Sequence, residues 1–533
     1  MTDRIPDDFV RRKLPPAEQW PRFLFDGPGL RFGPRLNAAT ELLDRALDEG
    51  HGERVAVYGE SEAWTYRQLR DRVDRLARIL CEQLGVVPGH RVLLRGANSP
   101  WLAACWLAVW KAGAVAVGTM PLLRAKELRQ IVQRAEVSHA LCAAPLRAEL
   151  DLALPDCPSL RHVLLYGDEA FAQRLERTPA GFSAHDSASD DPALIAFTSG
   201  TTGVPKGCVH AHRDVLAMCE VFPRHCLKPD AQDIFAGTPP LAFTFGLGGL
   251  LCFALHARAA TVLLESPSPR NLLQAVQRWG ATICVSSPTG YRQLAAIADR
   301  QALRSLRKCV SAGEPLNQAT RQQWRSVSQA GLYDGVGGTE MMHIYIASSP
   351  EDYRDGAVGR VLPGYQARLV DADMRDVAPG EAGRLALRGP TGCRYLDDER
   401  QTRYVREGWN LTGDTYHADA DGYYYFHARV DDIIITSGYN VAGPEVESVL
   451  LEHPAVADCA VIGVPDEARG QIVKAFVVLR AGFEAGEALA GQLQDFVKQS
   501  AAPYKYPRAI RFVRELPRTE TGKLQRFRLA QLP

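Results

Sequence analysis

The sequence has no excess of charge of either sign: lysine plus arginine and aspartate plus glutamate each number 62. Without a net field, neither nucleic acid nor an anionic membrane surface is expected as a partner, and any anion must be held by local sites. A long apolar run is missing too. The most apolar helical stretch, residues 101–110, is broken by Lys111 and falls short of the roughly 20 residues that cross a bilayer. The opening MTDRIPDDFVRRKL is charged and lacks the apolar stretch of a secretory leader. The 12 cysteines stand as singletons, with no CxxC pair and no Cys/His spacing suited to a metal. Reduced thiols in a cytoplasmic protein are expected, and Cys208 is read as packing. Repeats and low-complexity tracts are also absent.

What is present is an ordinary globular composition, 46% apolar and 23% charged, over 533 residues, too many for one core. Thr65 reads as the N-cap of a helix carrying Leu69, Val73, Leu76, Leu80 and Leu84 at helical spacing, stopped by Gly85. Apolar strands are legible at 92–94, 114–117, 193–197, 261–264, 282–285 and 309–311, with helical stretches between them. This alternation predicts doubly wound α/β layers with mainly parallel strands. Beyond about residue 360 the texture changes. Alternating segments at 366–370 and 384–387, with turns at Pro379-Gly380 and Asp421-Gly422, predict an antiparallel, barrel-like part. After Arg429-Val430-Asp431-Asp432 about 100 residues form a separable unit, with strands near 460–462, 475–479 and 510–513 and a helix near 487–499.

The most informative segment is Phe197-Thr198-Ser199-Gly200-Thr201-Thr202-Gly203-Val204-Pro205-Lys206-Gly207, read as following a strand and preceding a helical run near His212. Its glycines permit close backbone approach to a ligand. Its hydroxyls and free N–H groups can donate to phosphate oxygens, and Lys206 adds a cation. The G-K-[ST] ending of a Walker A loop is absent. The string resembles the phosphate-loop signature of the adenylate-forming superfamily, which includes acyl- and aryl-CoA ligases, peptide-synthetase adenylation domains and firefly luciferase. Further motifs of that family follow in order over nearly the whole chain. The resemblance implies an N-terminal adenylation domain over 1–430, made of doubly wound sheets plus the barrel-like part. It also implies a small mobile α+β lid over 431–533.

Residue by residue, the resemblance implies the following. Ser311, Ala312, Gly313 and Glu314 line the adenine pocket. In Tyr333-Asp334-Gly335-Val336-Gly337-Gly338-Thr339-Glu340, Asp334 and Gly335 pack on adenine, Thr339 binds the α-phosphate and Glu340 holds Mg²⁺. Asp414, in Thr412-Gly413-Asp414, accepts from the ribose hydroxyls, and Arg429 reaches the ribose or phosphates. Asp431 is the hinge. Gly438 and Tyr439 wall a channel for the pantetheine of coenzyme A. Lys523, closing Pro517-Arg518-Thr519-Glu520-Thr521-Gly522-Lys523, is the mobile catalytic lysine. The implied chemistry has two halves. A carboxylate attacks the α-phosphorus of ATP and pyrophosphate leaves, with Mg²⁺, the 198–207 loop and Lys523 offsetting charge. The thiol of coenzyme A then attacks the acyl carbonyl and AMP leaves, the lid having turned about its hinge.

Pro239-Pro240-Leu241-Ala242-Phe243-Thr244-Phe245-Gly246 occupies the position of the family's acyl-pocket motif, and Met341 and His343 continue into it beside Gly337. The residues suggest a flat apolar slot for an aromatic ring. FGLGG and TEMMHI resemble the benzoate- and 2-aminobenzoate-CoA ligases, although Phe245 stands where those carry Tyr. Phe243 and Phe245 either line the slot or fill the core, and His343 either bonds a ring substituent or packs. A small aromatic carboxylate acted on by a monomer or homodimer is expected. Two rival readings are transfer to a standalone carrier protein, none being fused after Lys523, and a non-catalytic nucleotide-binding scaffold, which should have lost Glu340 or Lys523.

Overall fold

The computed structural model describes residues 5–198, 205–429, 433–436, 439–466, 470–501, 505–518 and 524–531. Among them are four sheets. One has six strands in the order His162–Tyr166, His139–Ala143, Arg91–Arg95, Val115–Thr119, Pro192–Thr198, Lys206–Ala211. All neighbours are parallel except the last pair. A nine-stranded sheet is built on five consecutive parallel pairings from Val55–Tyr58 through Ala260–Val262, Ile234–Gly237, Ile283–Ser286 and Lys308–Ala312 to Gly331–Gly337. Antiparallel strands finish both of its ends.

The helices Pro100–Lys111 and His212–Phe222 are buried on nearly all sides, whereas Tyr66–Arg78 is amphipathic and buries one face. Tyr66–Arg78, Pro100–Lys111 and His212–Phe222 contribute to one contiguous core with strands of both sheets. Thr65 and Gln68 form a reciprocal capping box on the first helix. Lys111, which interrupts the apolar run of the second, is buried. It is paired with Asp44 at 2.8 Å and Asp74 at 2.5 Å, as a charge in such a place must be. No described helix is long and apolar enough to cross a membrane.

A five-stranded antiparallel sheet, including Gln366–Val370, Gly383–Arg388, Trp409–Ala418 and Tyr424–Arg429, follows. Past residue 433 a separate five-stranded sheet carries the long hairpin of Val456–Asp466 and Gly470–Leu479. It has a core of its own with the helices Gly443–Glu452 and Glu487–Ser500. The fold is therefore α/β, with large sheets in an N-terminal domain and a smaller C-terminal domain.

The strand and the helical run expected on either side of the phosphate-loop segment are present, as Pro192–Thr198 and His212–Phe222. A further strand not read from the sequence lies before the helix. Strand Lys206–Ala211 intervenes, pairing antiparallel with Pro192–Thr198 in the register Thr198↔Lys206. Lys206 therefore sits on a strand beside Thr198, and the helix at His212 begins a full strand further on.

Candidate active site

Parallel pairing explains how motifs far apart in sequence come together. Lys308–Ala312 and Gly331–Gly337 are neighbours in register, Ser311 opposite Asp334 and Ala312 opposite Gly335. The chain turns sharply at Gly313, with φ +90°, a conformation that favours glycine. Asp334 is buried with Arg321 Nη2 3.5 Å from Oδ2. Burial raises its carboxyl to about 7 against the opposing pull of Arg321. Glu314 has both oxygens engaged. Oε2 accepts from the Thr289 amide at 3.2 Å and hydroxyl at 2.6 Å, and Oε1 from Arg518 at 2.5 Å.

Thr339, Glu340 and Met341 form a single 3₁₀ turn after Gly331–Gly337, and two side chains not singled out from the sequence brace it. His210 Nε2 lies 2.7 Å from the Thr339 carbonyl. A carbonyl only accepts, so Nε2 carries the proton. Beneath it Asp214 Oδ2 stands 3.7 Å from His210 Nδ1 and takes a 2.6 Å bond from Arg394 Nη2. Burial opposes a charge on His210, but Cys208 and Asp214 outweigh it and raise the imidazole to about 10. The Tyr395 hydroxyl donates to Glu340 Oε1 at 2.6 Å. Lys206 Nζ lies 3.4 Å from that hydroxyl and 5.3 Å from the ring centroid. Burial, with the neighbouring Glu340 charge, holds the phenol well above its ordinary value, so it stays a donor. Lys206, the cation expected at the loop's end, is thereby linked to Glu340 through Tyr395.

Tyr395 is held by main chain. The Val209 amide donates to Arg394 at 2.9 Å and the Leu396 amide to Gly207 at 2.8 Å. Cys208 lies opposite Tyr395 and packs with Cys393, Tyr395 and Val405.

The helical segment Thr244–His256 changes from α to π over Leu247–Cys252 and back, a local widening common near functional sites. His343 is buried against it, its ring 4.5 Å from Phe253, 5.7 Å from Phe245 and 6.3 Å from Phe222. Its Nε2 faces the Phe245 carbonyl at 3.4 Å, and Nδ1 has no hydrogen-bond partner among the described residues. Burial lowers its pKa to about 3, so the ring is neutral. Phe243 and Phe245 are half-buried and Met341 is fully buried. A Cβ at Gly337 would stand 2.6 Å from the His343 carbonyl oxygen, and one at Gly246 would stand 2.1 Å from that of Pro240. The close packing at both requires glycine.

Asp414 follows Gly413 (φ +80°) and pairs across strands with Arg429. Thr198 ends its strand half-buried. Ser199, Gly200, Thr201, Thr202, Gly203, Asp431, Gly438 and Lys523 lie outside the described residues, as do the side chains of Arg429 and Tyr439. The structure thus joins the Thr339–Glu340 turn to Lys206, and the Ser311 strand to Asp334.

Residues 43–394 match the family described as AMP-binding enzyme, and residues 445–523 match the AMP-binding enzyme C-terminal domain. A benzoate–CoA ligase of Thauera aromatica is 34% identical over 94% of this chain and 97% of its own. The solved anthranilate CoA ligase AuaEII, in complex with anthranoyl-AMP, superposes with a TM-score of 0.89 at 34% identity, covering 94% of this chain and 98% of that one. A benzoate CoA ligase from Burkholderia xenovorans LB400 gives 0.86 at 29% identity, over 93% and 99%. The chain belongs to the AMP-binding enzyme family, as an AMP-forming acid–thiol ligase.

Proposed function

We propose that the chain is an ATP-dependent aryl-CoA ligase that adenylates a benzoate-type acid, with 2-aminobenzoate foremost, and passes the acyl group to coenzyme A. The observation that carries the reading is the Thr339–Glu340 turn, fixed from two sides by His210 and Tyr395 and running directly into an aromatic-walled packing around His343. Similarity to a benzoate– and an anthranilate–CoA ligase supports the same class of acid.

In this reading Ser311, Ala312, Gly313, Asp334 and Gly335 hold adenine and Asp414 and Arg429 the ribose. The loop from Thr198 through Ser199, Gly200, Thr201, Thr202 and Gly203 to Lys206 cradles the phosphates. One oriented carboxylate, Glu340, fits Mg²⁺, which takes few protein oxygens and completes its shell with phosphate and water. The ion supplies counter-charge on the phosphates. Thr339 bonds the α-phosphate, and Lys523 offsets the charge that develops as the carboxylate attacks. Residues 431–533 then turn about Asp431 to bring Gly438 and Tyr439 to the thiol. Phe243, Phe245, Gly246, Gly337 and Met341 bound the ring.

His343 favours a substituent that donates. Its Nε2 is committed to Phe245, and the neutral Nδ1 is a buried acceptor. An ortho-amine would satisfy it, whereas benzoate leaves it unpaired. A site built for a polar partner discriminates more strongly than one built for a methylene, which is worth about 1–3 kcal/mol. AMP release over a panel of aromatic and aliphatic acids, with coenzyme A present, tests the reading. 2-Aminobenzoate or a small benzoate should exceed every fatty acid in kcat/KM, and His343→Ala should cost more on 2-aminobenzoate than on benzoate. Octanoate exceeding every benzoate would overturn the aryl slot, and equal His343→Ala losses would return that histidine to packing.

A further inference from the structure

The segment that carries the acyl-slot motif is held by one buried amide from another sheet. Asn98 Nδ2 donates to the Pro239 carbonyl at 2.9 Å, and Asn98 Oδ1 accepts from the Leu241 amide at 2.8 Å. The two partners fix which way the amide points, since a carbonyl only accepts and an N–H only donates. Donor and acceptor together give main chain 239–241 the pairing that a neighbouring strand would otherwise supply. Asn98 follows Arg91–Arg95 of the six-stranded sheet, whereas Pro239 follows Ile234–Gly237 of the nine-stranded one. The same segment also packs directly on the six-stranded sheet: a Cβ at Gly118 would stand 3.1 Å from Ala242 Cα.

Asn98 is itself fixed from both sides. Before it Arg95, buried at the end of its strand, donates to the carbonyls of Leu146, Met120, Pro121 and Leu123 at 3.0–3.2 Å. After it Ser99 caps the helix Pro100–Lys111, its Oγ accepting from the Leu102 amide at 3.2 Å. Asn98 is 5% exposed and Leu241 is fully buried. Water therefore has little access to replace either bond, and the groups left behind would bear the full cost of being unpaired. Upstream of the held stretch the Thr238 amide donates to Val285 at 3.1 Å, and downstream the Phe243 amide closes a turn onto Pro240 at 3.1 Å, from which Thr244–Gly246 starts. Asn98 holds the main chain between these two points, and so sets where Phe243 and Phe245 stand.

We propose that Asn98 is a positioning residue for acyl specificity: through the main chain of Pro239 and Leu241 it fixes Phe243 and Phe245, and with them the slot that takes the ring of the acid. The inference rests on the aryl-ligase reading above. It also separates the two substrates. Asp334, Asp414 and Glu340, read as serving the nucleotide and its metal, lie on elements that Asn98 does not bond. Its loss therefore loosens the site for the acid and leaves the site for ATP intact.

The test is steady-state AMP release by the full chain, varying the acid and ATP in turn with coenzyme A saturating. Asn98→Ala should raise the KM for 2-aminobenzoate or benzoate about tenfold or more, the scale of a buried group left unpaired. The KM for ATP should stay within about twofold of wild type. Asn98→Asp keeps the shape and the acceptor for Leu241 but turns an oxygen toward the Pro239 carbonyl, so it should raise the KM for the acid at least as far. A side chain that merely fills space would leave Asn98→Asp at wild type. Loss of folded enzyme lowers kcat and moves neither KM, which keeps a folding defect apart from a misplaced slot. KM values for acid and ATP that rise together, a loss confined to kcat, or wild-type kinetics in Asn98→Asp would overturn the proposal. Asn98→Asp carries the test if Asn98→Ala does not fold. A wild-type enzyme that activates no aromatic acid would instead sink the aryl reading, and the same KM comparison on the acid it does activate would still decide the role of Asn98.

Discussion

Replacing Tyr395 by phenylalanine removes one oxygen and keeps the ring. That oxygen donates to Glu340 Oε1 at 2.6 Å and lies 3.4 Å from Lys206 Nζ. A hydrogen bond to a charged partner contributes about 1.5–3 kcal/mol. Glu340 is only half-buried, so water recovers part of the loss and the lower end applies, about 1.5 kcal/mol, or roughly tenfold. The ammonium over the ring and the edge contact with Tyr404 at 5.8 Å do not involve the oxygen and should persist. The carboxylate that loses its orientation is the one proposed to hold Mg²⁺, and loss of such a supporting bond typically weakens a metal site by about 10–100-fold. Tyr395→Phe should therefore raise the Mg²⁺ concentration for half-maximal pyrophosphate exchange about tenfold, with little change in melting temperature. Titrating Mg²⁺ at saturating ATP and acid reads this directly. An unchanged Mg²⁺ midpoint, or a loss shared equally by thioester formation from preformed adenylate, would reduce Tyr395 to a packing residue.

Two further outcomes follow from burial and from space. Asp334, raised to about 7 by burial, is favoured by the fold in its protonated form. Its contribution is thus complete below the unfolded value near 4 and is lost as pH climbs to about 7, on the order of a few kcal/mol. Asp334→Asn escapes that loss, so its melting temperature should gain on wild type between pH 5 and 8, and parallel pH profiles would refute the assignment. A Cβ at Gly248 would stand 2.4 Å from His343 Cδ2, and three phenylalanines leave that ring nowhere to go. Gly248→Ala should cost about 1–3 kcal/mol of stability and most activity on aromatic acids without altering the KM for ATP, and wild-type kinetics on those acids would show that the ring can yield.

Local chemistry was readable in advance; long-range partnership was not. The cap at Thr65, the parallel strands at 92–94 and 309–311 and the alternation at 366–370 are signals carried within a few residues, and each element formed where its pattern lay. The strand Lys206–Ala211 was missed because Gly-Cys-Val-His-Ala is too short and too apolar to show a period. Tyr395 meets Glu340 and Lys206 only through main-chain pairing of 207–209 with 394–396, across nearly 190 residues of sequence, and nothing near Tyr395 announces it. His210 and Asp214 at least share an i,i+4 spacing, a faint sign that one might support the other. Glu314 shows the limit most clearly, since its motif marked the strand proposed to hold adenine while its carboxylate turned to Thr289 and Arg518.

The pairing of Gly207 and Val209 with Arg394 and Leu396 has a consequence apart from chemistry. Lys206–Ala211 is the last strand of its sheet, and an outermost strand with free N–H and C=O groups is a template on which another chain can add. Here the segment carrying Tyr395 covers that edge, so the contact that aims Tyr395 at Glu340 also shields the sheet from intermolecular pairing. Solubility during folding and the geometry of the centre depend on the same few backbone bonds. A change that loosens them would reveal itself first as aggregated protein, before any purified enzyme could be assayed.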